Sequence, residues 1–143
     1  MWEELNFLRE MNFVSMLLRL VLAMLFGGFI GLERERKRRP AGFRTYMLVC
    51  LGAALTMLLS QYESFMVTHD WHEAAAQIGL RTDVSRFGAQ VINGIGFLGA
   101  GTIIVTGKQE VKGLTTAAGL WASACMGLPS ARAFTSACCW ASR

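Results

Sequence analysis

Polar side chains repeat along one face of an otherwise apolar segment, residues 83–105. On a helix, six residues fall within roughly 60° of one another: Asp83, Arg86, Gln90, Gly94, Phe97 and Gly101. Gly96 and Gly99 lie on nearly the opposite side, so other helices could approach closely from two directions. The pattern predicts the central helix of a membrane bundle with an inward-facing polar stripe, in which leucine at Gly94 or Gly101 would damage folding.

Two kinds of function fit such a stripe. Polar and charged groups inside a membrane are candidates for ion transport. Against transport, Asp83 and Arg86 are three residues apart and can neutralise each other at the membrane surface. A magnesium pathway would also need several uncompensated oxygen ligands. A regulator that works through helix–helix contact needs no such ligands. The sequence also contains no Ser/His/Asp set and no paired carboxylates within a span that would indicate an enzyme.

The glycines at positions 94–101 also contain the G-x-G-x-x-G pattern of dinucleotide-binding loops. That motif needs a preceding strand and a following helix, whereas apolar residues flank it here on both sides. The four cysteines have no metal-ligand spacing. His69 and His72 lie close to Asp70 in the polar segment that connects two apolar runs, but that segment supplies no third fixed ligand. The sequence therefore predicts neither a cofactor nor a metal site.

Composition indicates a membrane rather than nucleic acid as the partner. The 143 residues are 53% hydrophobic and 17% charged, with a net charge of +4. Residues 33–44 hold two carboxylates, Glu33 and Glu35, and six cations: Arg34, Arg36, Lys37, Arg38, Arg39 and Arg44. Under the positive-inside rule this loop is predicted to be cytoplasmic and the N-terminus outside. Two interpretations stay open, a pure topology signal and a site for anionic lipid headgroups or a partner.

The apolar runs predict an all-α membrane protein, a bundle of about four transmembrane helices. Their approximate bounds are 13–32, 45–61, 87–105 and 114–128. An amphipathic segment, 1–12, precedes the transmembrane domain at 13–128. Pro129 ends the clean apolar pattern, and an atypical tail, 129–143, follows.

Two features of the first span bear on packing. Gly27 and Gly31 form a G-x-x-x-G pair, which permits close helix contact. The glycine-lined helices together could also support a homo-oligomer. Arg19 interrupts the apolar run. Its side chain either snorkels to the membrane surface or faces the bundle, and the sequence leaves both alternatives open.

Three blocks of this sequence together resemble the MgtC/SapB family of bacterial inner-membrane proteins: GLERERKRRPAGFRTYMLVCLGAAL at 31–55, DVSRFGAQVINGIGFLGAG at 83–101 and VKGLTTAAGLWASACMG at 111–127. The polar residues that the resemblance singles out are Glu33, Arg44, Asp83, Arg86 and Gln90. Tyr46 stands where the family pattern usually has His, and Val84 where it usually has Pro. After Gly127 the sequence leaves the pattern, as a truncated or frame-altered end would.

The resemblance implies an inner-membrane helical protein, usually with a fifth span that is missing or unclear here. It implies support of growth under magnesium limitation and of survival inside macrophages. The resemblance further implies that the protein acts on another membrane complex, the F-type ATP synthase in particular. Membrane lipids are its other expected partners. A small ion transporter that uses Asp83, Arg86 and Gln90 is the alternative.

Overall fold

The computed structural model describes residues 12–79, 83–105 and 111–141, with side chains described for 12–79, 83–103 and 111–131. The predicted N-terminal segment therefore lies almost wholly outside the described residues. The elements in chain order are α1 (Phe13–Arg36), α2 (Phe43–His69), α3 (His72–Ile78), α4 (Ser85–Thr102), β1 (Ile104–Val105), β2 (Val111–Lys112) and α5 (Leu114–Ala141). The predicted all-α membrane fold is confirmed, and helices α1 and α2 are long and apolar enough to span a membrane.

Helix α1 has one narrow buried side, built from small residues and one arginine. Every fourth residue from Ser15 to Gly31 is buried: Ser15, Arg19, Ala23, Gly27 and Gly31. Its large apolar side chains point the other way, and Phe13 and Phe29 are each 79% exposed. Exposed phenylalanines on this scale suit hydrocarbon rather than water, so α1 presents its outer side to lipid.

The glycines of α1 set its distance from α2. A Cβ atom on Gly27 would lie 2.7 Å from the Cβ of Cys50, and one on Gly31 would lie 2.6 Å from the Cα of Phe43. Real Cβ atoms do not approach that closely, so the two backbones meet at a separation that only glycine permits. This is the contact for which the G-x-x-x-G pair is suited.

Helix α2 is the central element of the bundle. It packs against α1, α5 and α4, and its buried side chains include Tyr46, Cys50, Ala54 and Met57. The prediction that the helix after Asp83 is central is therefore wrong, because α4 packs mainly on α5 at the edge of the bundle. Helix α2 extends beyond the predicted span 45–61, to His69.

Helix α5 continues where the sequence predicts an end. The predicted span 114–128 stops before Pro129, whereas the helix runs from Leu114 through Pro129 to Ala141. Proline lacks the N–H that the carbonyl four residues earlier would otherwise accept. Here it is the Cys125 carbonyl that loses its backbone donor. The loss of one backbone bond does not stop the helix, which packs in the core on both sides of the proline through Leu128 and Ala131.

A two-stranded hairpin joins α4 to α5. β1 and β2 are antiparallel, with Ile104 opposite Lys112 and Val105 opposite Val111. Within the predicted span 87–105, the helical part ends at Thr102, where α4 stops. Gly113 follows β2 with φ at +96°, and a Cβ atom there would collide with the Thr102 carbonyl oxygen. Glycine is required at this position for both reasons.

Candidate partner-binding face

The polar stripe of α4 faces away from the bundle. Gln90 and Asn93 are exposed, and Phe97 is 83% exposed. Cβ atoms added to Gly94, Gly96 or Gly101 would meet nothing within 4 Å. The prediction of an inward-facing stripe is therefore wrong, and among the described residues no other helix packs against these three glycines.

The opposite side of α4 explains this orientation. Its inner positions are Val84, Gly88, Val91, Ile95 and Gly99, which repeat at helical spacing and are apolar or small. A Cβ atom on Gly99 would sit at ordinary contact distance, 3.6 Å, from the Cβ of Ala117 on α5. The valine and isoleucine side chains bury more apolar surface than the stripe would, so they occupy the inside.

The exposed face has unmet hydrogen-bonding capacity. No side-chain hydrogen bond is found for Gln90 or Asn93 within the part of the chain that the structure describes. An amide that is moved from water into hydrocarbon without a partner costs about 4–8 kcal/mol. A helix at the edge of a membrane bundle carries such groups at low cost only where another polar surface meets them. We define the polar face as Arg86, Gln90, Asn93, Gly94, Phe97 and Gly101.

Asp83 lies just before α4 and is held by Ser85. Its Oδ1 atom accepts from the Ser85 backbone N–H at 2.9 Å and from the Ser85 hydroxyl at 2.5 Å. The hydroxyl, then the backbone N–H, lower the pKa of Asp83, and Arg86 adds a weaker attraction. The predicted pairing with Arg86 is thus secondary. Asp83 serves the start of the helix, and the guanidinium of Arg86 stays exposed at that end of the polar face.

Arg19 points into the bundle, which settles the two alternatives for this residue. Its side chain is only 1% exposed. Nη1 donates to Gln61 Oε1 on α2 and to the Ala131 carbonyl on α5, both at 3.1 Å. One guanidinium therefore joins three helices. The four-residue spacing from Ser15 to Gly31 is the signal in the sequence that places Arg19 on the packed side of α1.

Glu33 and Arg44 lie at the other end of the molecule. The Ser60 hydroxyl donates to the Val84 carbonyl at 3.1 Å, which fixes the start of α4 beside position 60 of α2. Arg44 is sixteen residues earlier on α2, about 24 Å along the helix axis. The five polar residues that the sequence singles out therefore form two groups, Glu33 and Arg44 at one end and Asp83, Arg86 and Gln90 towards the other.

Sequence reasoning missed a buried contact between α2 and α5. The Tyr46 hydroxyl donates to the Thr116 carbonyl at 3.3 Å, and the Ser123 hydroxyl donates to the Tyr46 carbonyl at 3.0 Å. Gly119 and Gly127 flank this contact, and added Cβ atoms would strike the Tyr46 hydroxyl and the Cys50 carbonyl respectively. The signal was present, because Gly119, Ser123 and Gly127 repeat every four residues.

The connector between α2 and α4 forms an open hollow of about 730 Å³. His69, Asp70, His72 and Glu73 are among its lining residues. Across the described residues, no three histidine, cysteine, aspartate or glutamate side chains are grouped in a way that could hold a metal ion. The hollow therefore offers a polar surface without a ligand set.

Comparisons with known proteins give a consistent family. The model of the MgtC family matches residues 20–141. The chain is 42% identical over 112 residues to the protein MgtC of Salmonella typhimurium, covering 78% of this chain and 41% of that one. It is 43% identical over 112 residues to the protein named "Putative magnesium transporter YhiD" of Escherichia coli, covering 78% of this chain and 48% of that one.

A third relative comes from a cyanobacterium. The chain is 38% identical over 128 residues to the protein SrpB of Synechococcus elongatus, covering 85% of this chain and 65% of that one. The chain spans about half the length of most of the curated relatives that it matches. No solved structure matches it.

Proposed function

The chain belongs to the MgtC family, and from that premise we propose that it is a bacterial inner-membrane regulator that acts by contact with another membrane complex. In this proposal it supports growth under magnesium limitation and survival inside macrophages. The complex is the F-type ATP synthase, and contact with the protein inhibits it. The relatives' printed names support the link to magnesium, while the partner is an inference from the family resemblance.

The observation that carries the proposal is the polar face of α4. Gln90 and Asn93 are exposed on a helix of a membrane protein and have no side-chain hydrogen bond among the described residues. Three glycines beside them leave open space for a helix to approach. Small residues and amides are the groups through which membrane helices associate. A partner helix seated here would satisfy the amides and fill the space.

Transport is the second candidate, because YhiD is named for it. A carrier places its substrate site near the bilayer midplane. The buried residues in the described part of the bundle are apolar or small, apart from hydroxyl groups and Arg19. No buried carboxylate is found there, and a buried guanidinium repels a divalent cation. Contact regulation is therefore the better supported of the two.

Cross-linking from two matched positions tests the proposal. Phe97 on the polar face and Phe29 on α1 are 83% and 79% exposed, so a photoreactive residue is equally accessible at either site. Position 97 should capture a subunit of the F-type ATP synthase in native membranes, whereas position 29 should capture mainly lipid. In an Asn93→Leu background, capture at position 97 should fall sharply. Equal protein capture from both positions would refute a dedicated face.

Liposomes separate the two candidates. Purified protein should give no Mg²⁺ flux above that of protein-free vesicles. In energised membrane vesicles it should instead lower ATP synthesis, and Asn93→Leu should relieve that inhibition. Saturable Mg²⁺ uptake by the purified protein would overturn the regulator and establish the transporter.

The proposed orientation places residues 33–44 in the cytoplasm. With native cysteines replaced, a cysteine at Lys37 should resist a membrane-impermeant thiol reagent in intact cells. A cysteine at His69 should react, since α2 carries the chain across the membrane between the two positions. Labelling of position 37 from outside would reverse the orientation.

A further inference from the structure

Both carboxylates in residues 33–44, Glu33 and Glu35, are bound by groups within the same segment. The Lys37 ammonium donates to Glu33 Oε1 at 2.6 Å. Glu35 Oε2 accepts from the backbone N–H of Phe43 at 3.3 Å and so caps the start of α2. Among the described residues, neither carboxylate pairs with an arginine side chain. The cations that remain exposed without an ion pair in that part of the chain are Arg36, Arg38, Arg39 and Arg44.

Arg38 occupies a position that favours glycine. Its φ is +50°, in the left-handed region that residues with a Cβ atom rarely adopt. The surrounding bonds are those of a Schellman end to α1, with the Arg38 N–H donating to the Glu35 carbonyl and the Arg39 N–H to the Arg34 carbonyl. Glycine would form this turn without strain. The guanidinium at position 38 is therefore kept at a cost to local stability.

Arg44 breaks a second local rule. It lies in the first turn of α2, near the positive end of the helix dipole, where a cation is disfavoured. The backbone conformation thus disfavours Arg38, and the helix dipole disfavours Arg44. Residues that break local rules are most often found where function requires them. These arginines are expected to meet an anion outside the fold.

The position of the loop identifies the anion. The loop joins two helices that span the membrane, so its guanidinium groups lie at the level of the lipid phosphates. In the last two turns of α1, just before the loop, Phe29 is 79% exposed and Leu32 is 48% exposed. We propose that Arg36, Arg38 and Arg39 bind the headgroup of an anionic phospholipid whose acyl chain packs on Phe29 and Leu32. An acidic protein segment or free phosphate would leave those apolar side chains unused.

Lipid titration of the purified full chain tests this site. Phosphatidylglycerol and phosphatidylcholine with identical acyl chains are added, and bound lipid is counted by native mass spectrometry. Phosphatidylglycerol should bind in a small, fixed number of copies and raise the melting temperature, whereas phosphatidylcholine should do neither. Arg38→Gly should lower the affinity for phosphatidylglycerol about fivefold. The melting temperature of Arg38→Gly without lipid should equal or exceed that of the wild type, because the turn is relaxed.

Lys37→Gln is the matched control. It removes one positive charge from the same loop, but its ammonium is already engaged by Glu33. It should weaken phosphatidylglycerol binding much less than Arg38→Gly does. Equal losses in the two variants would overturn the site in favour of diffuse charge. Equal binding of both lipids, displacement of phosphatidylglycerol by millimolar inorganic phosphate, or preferential capture of a polyglutamate peptide would each overturn it too.

Discussion

Two surfaces of this molecule are lined by glycine, and only one of them is closed. At the closed surface, Cys50 of α2 lies between Gly27 of α1 and Gly127 of α5. At the open surface, a Cβ atom added to Gly94 or Gly101 of α4 would meet nothing within 4 Å among the described residues. Glycine spacing alone therefore shows where a helix can approach, and the neighbouring helix decides whether one does.

The polar groups divide in the same way. Beside the closed surface, the Ser123 hydroxyl and the Tyr46 hydroxyl both donate to carbonyl groups of the facing helix. Beside the open surface, Gln90 and Asn93 make no such bond among the described residues. The closed surface is complete within one chain, whereas the open surface has the composition of an interface that lacks its other half.

The largest effect should come from overfilling the closed surface. Gly127→Leu places a side chain against the Cys50 carbonyl and the Ala53 Cβ, and should destabilise the fold by at least about 3 kcal/mol. The variant should not accumulate in membranes. Gly94→Leu, the matched change at the open surface, should accumulate normally while losing cross-linking from position 97. Equal accumulation of the two variants in membranes would show that the two glycine surfaces do not differ in packing.

Arg19 provides an intermediate effect on the closed side. Arg19→Met removes a guanidinium that joins α2 and α5 to α1, and interhelical bonds of this kind contribute about 1–2 kcal/mol in membranes. Thermal unfolding in detergent should show a clear loss of stability. If the bond to Gln61 contributes part of this stability, Gln61→Met should lower the melting temperature little further once Arg19 has been replaced. Additive losses would show that the two side chains act independently.

Asp83 should give the smallest effect. Asp83→Asn keeps an oxygen that can accept from Ser85, so accumulation should not change. The pKa of Asp83 is lowered in the fold, so its carboxylate stabilises the protein above the pKa of the unfolded chain, about 3.9. That contribution is lost as pH falls through the lower folded value. Asp83→Ala should therefore weaken the acid dependence of the melting temperature. Loss of the protein from membranes would instead make Asp83 a structural partner.

The sequence predicted the kinds of element better than their arrangement. Apolar runs and the basic loop predict a helical membrane bundle because burial in hydrocarbon demands both. The face shared by Gln90 and Gly94 follows from helix geometry, but its direction does not. Which side of α4 faces the bundle depends on Val91 and Ile95, whose apolar side chains pack in the core.

Arg19 and Pro129 show a second reason. The four-residue spacing around Arg19 indicates the packed side of α1, but it does not identify the partner, a carbonyl 112 residues later in the chain. Pro129 ends an apolar pattern, but tertiary contacts on both sides carry the helix through it. Local spacing can show which side of a helix is packed, but the partner at such a separation cannot be read from a window of sequence.

The bond between Arg19 and Ala131 also orders events during synthesis. Helix α1 enters the membrane with a charged side chain whose carbonyl partner has not yet been translated. Gln61 is available earlier, but the bond to the Ala131 carbonyl, which links α1 to α5, forms only after residue 131 has emerged. An interrupted chain that lacks residue 131 therefore keeps the contact between α1 and α2 at Arg19 but cannot complete the one between α1 and α5.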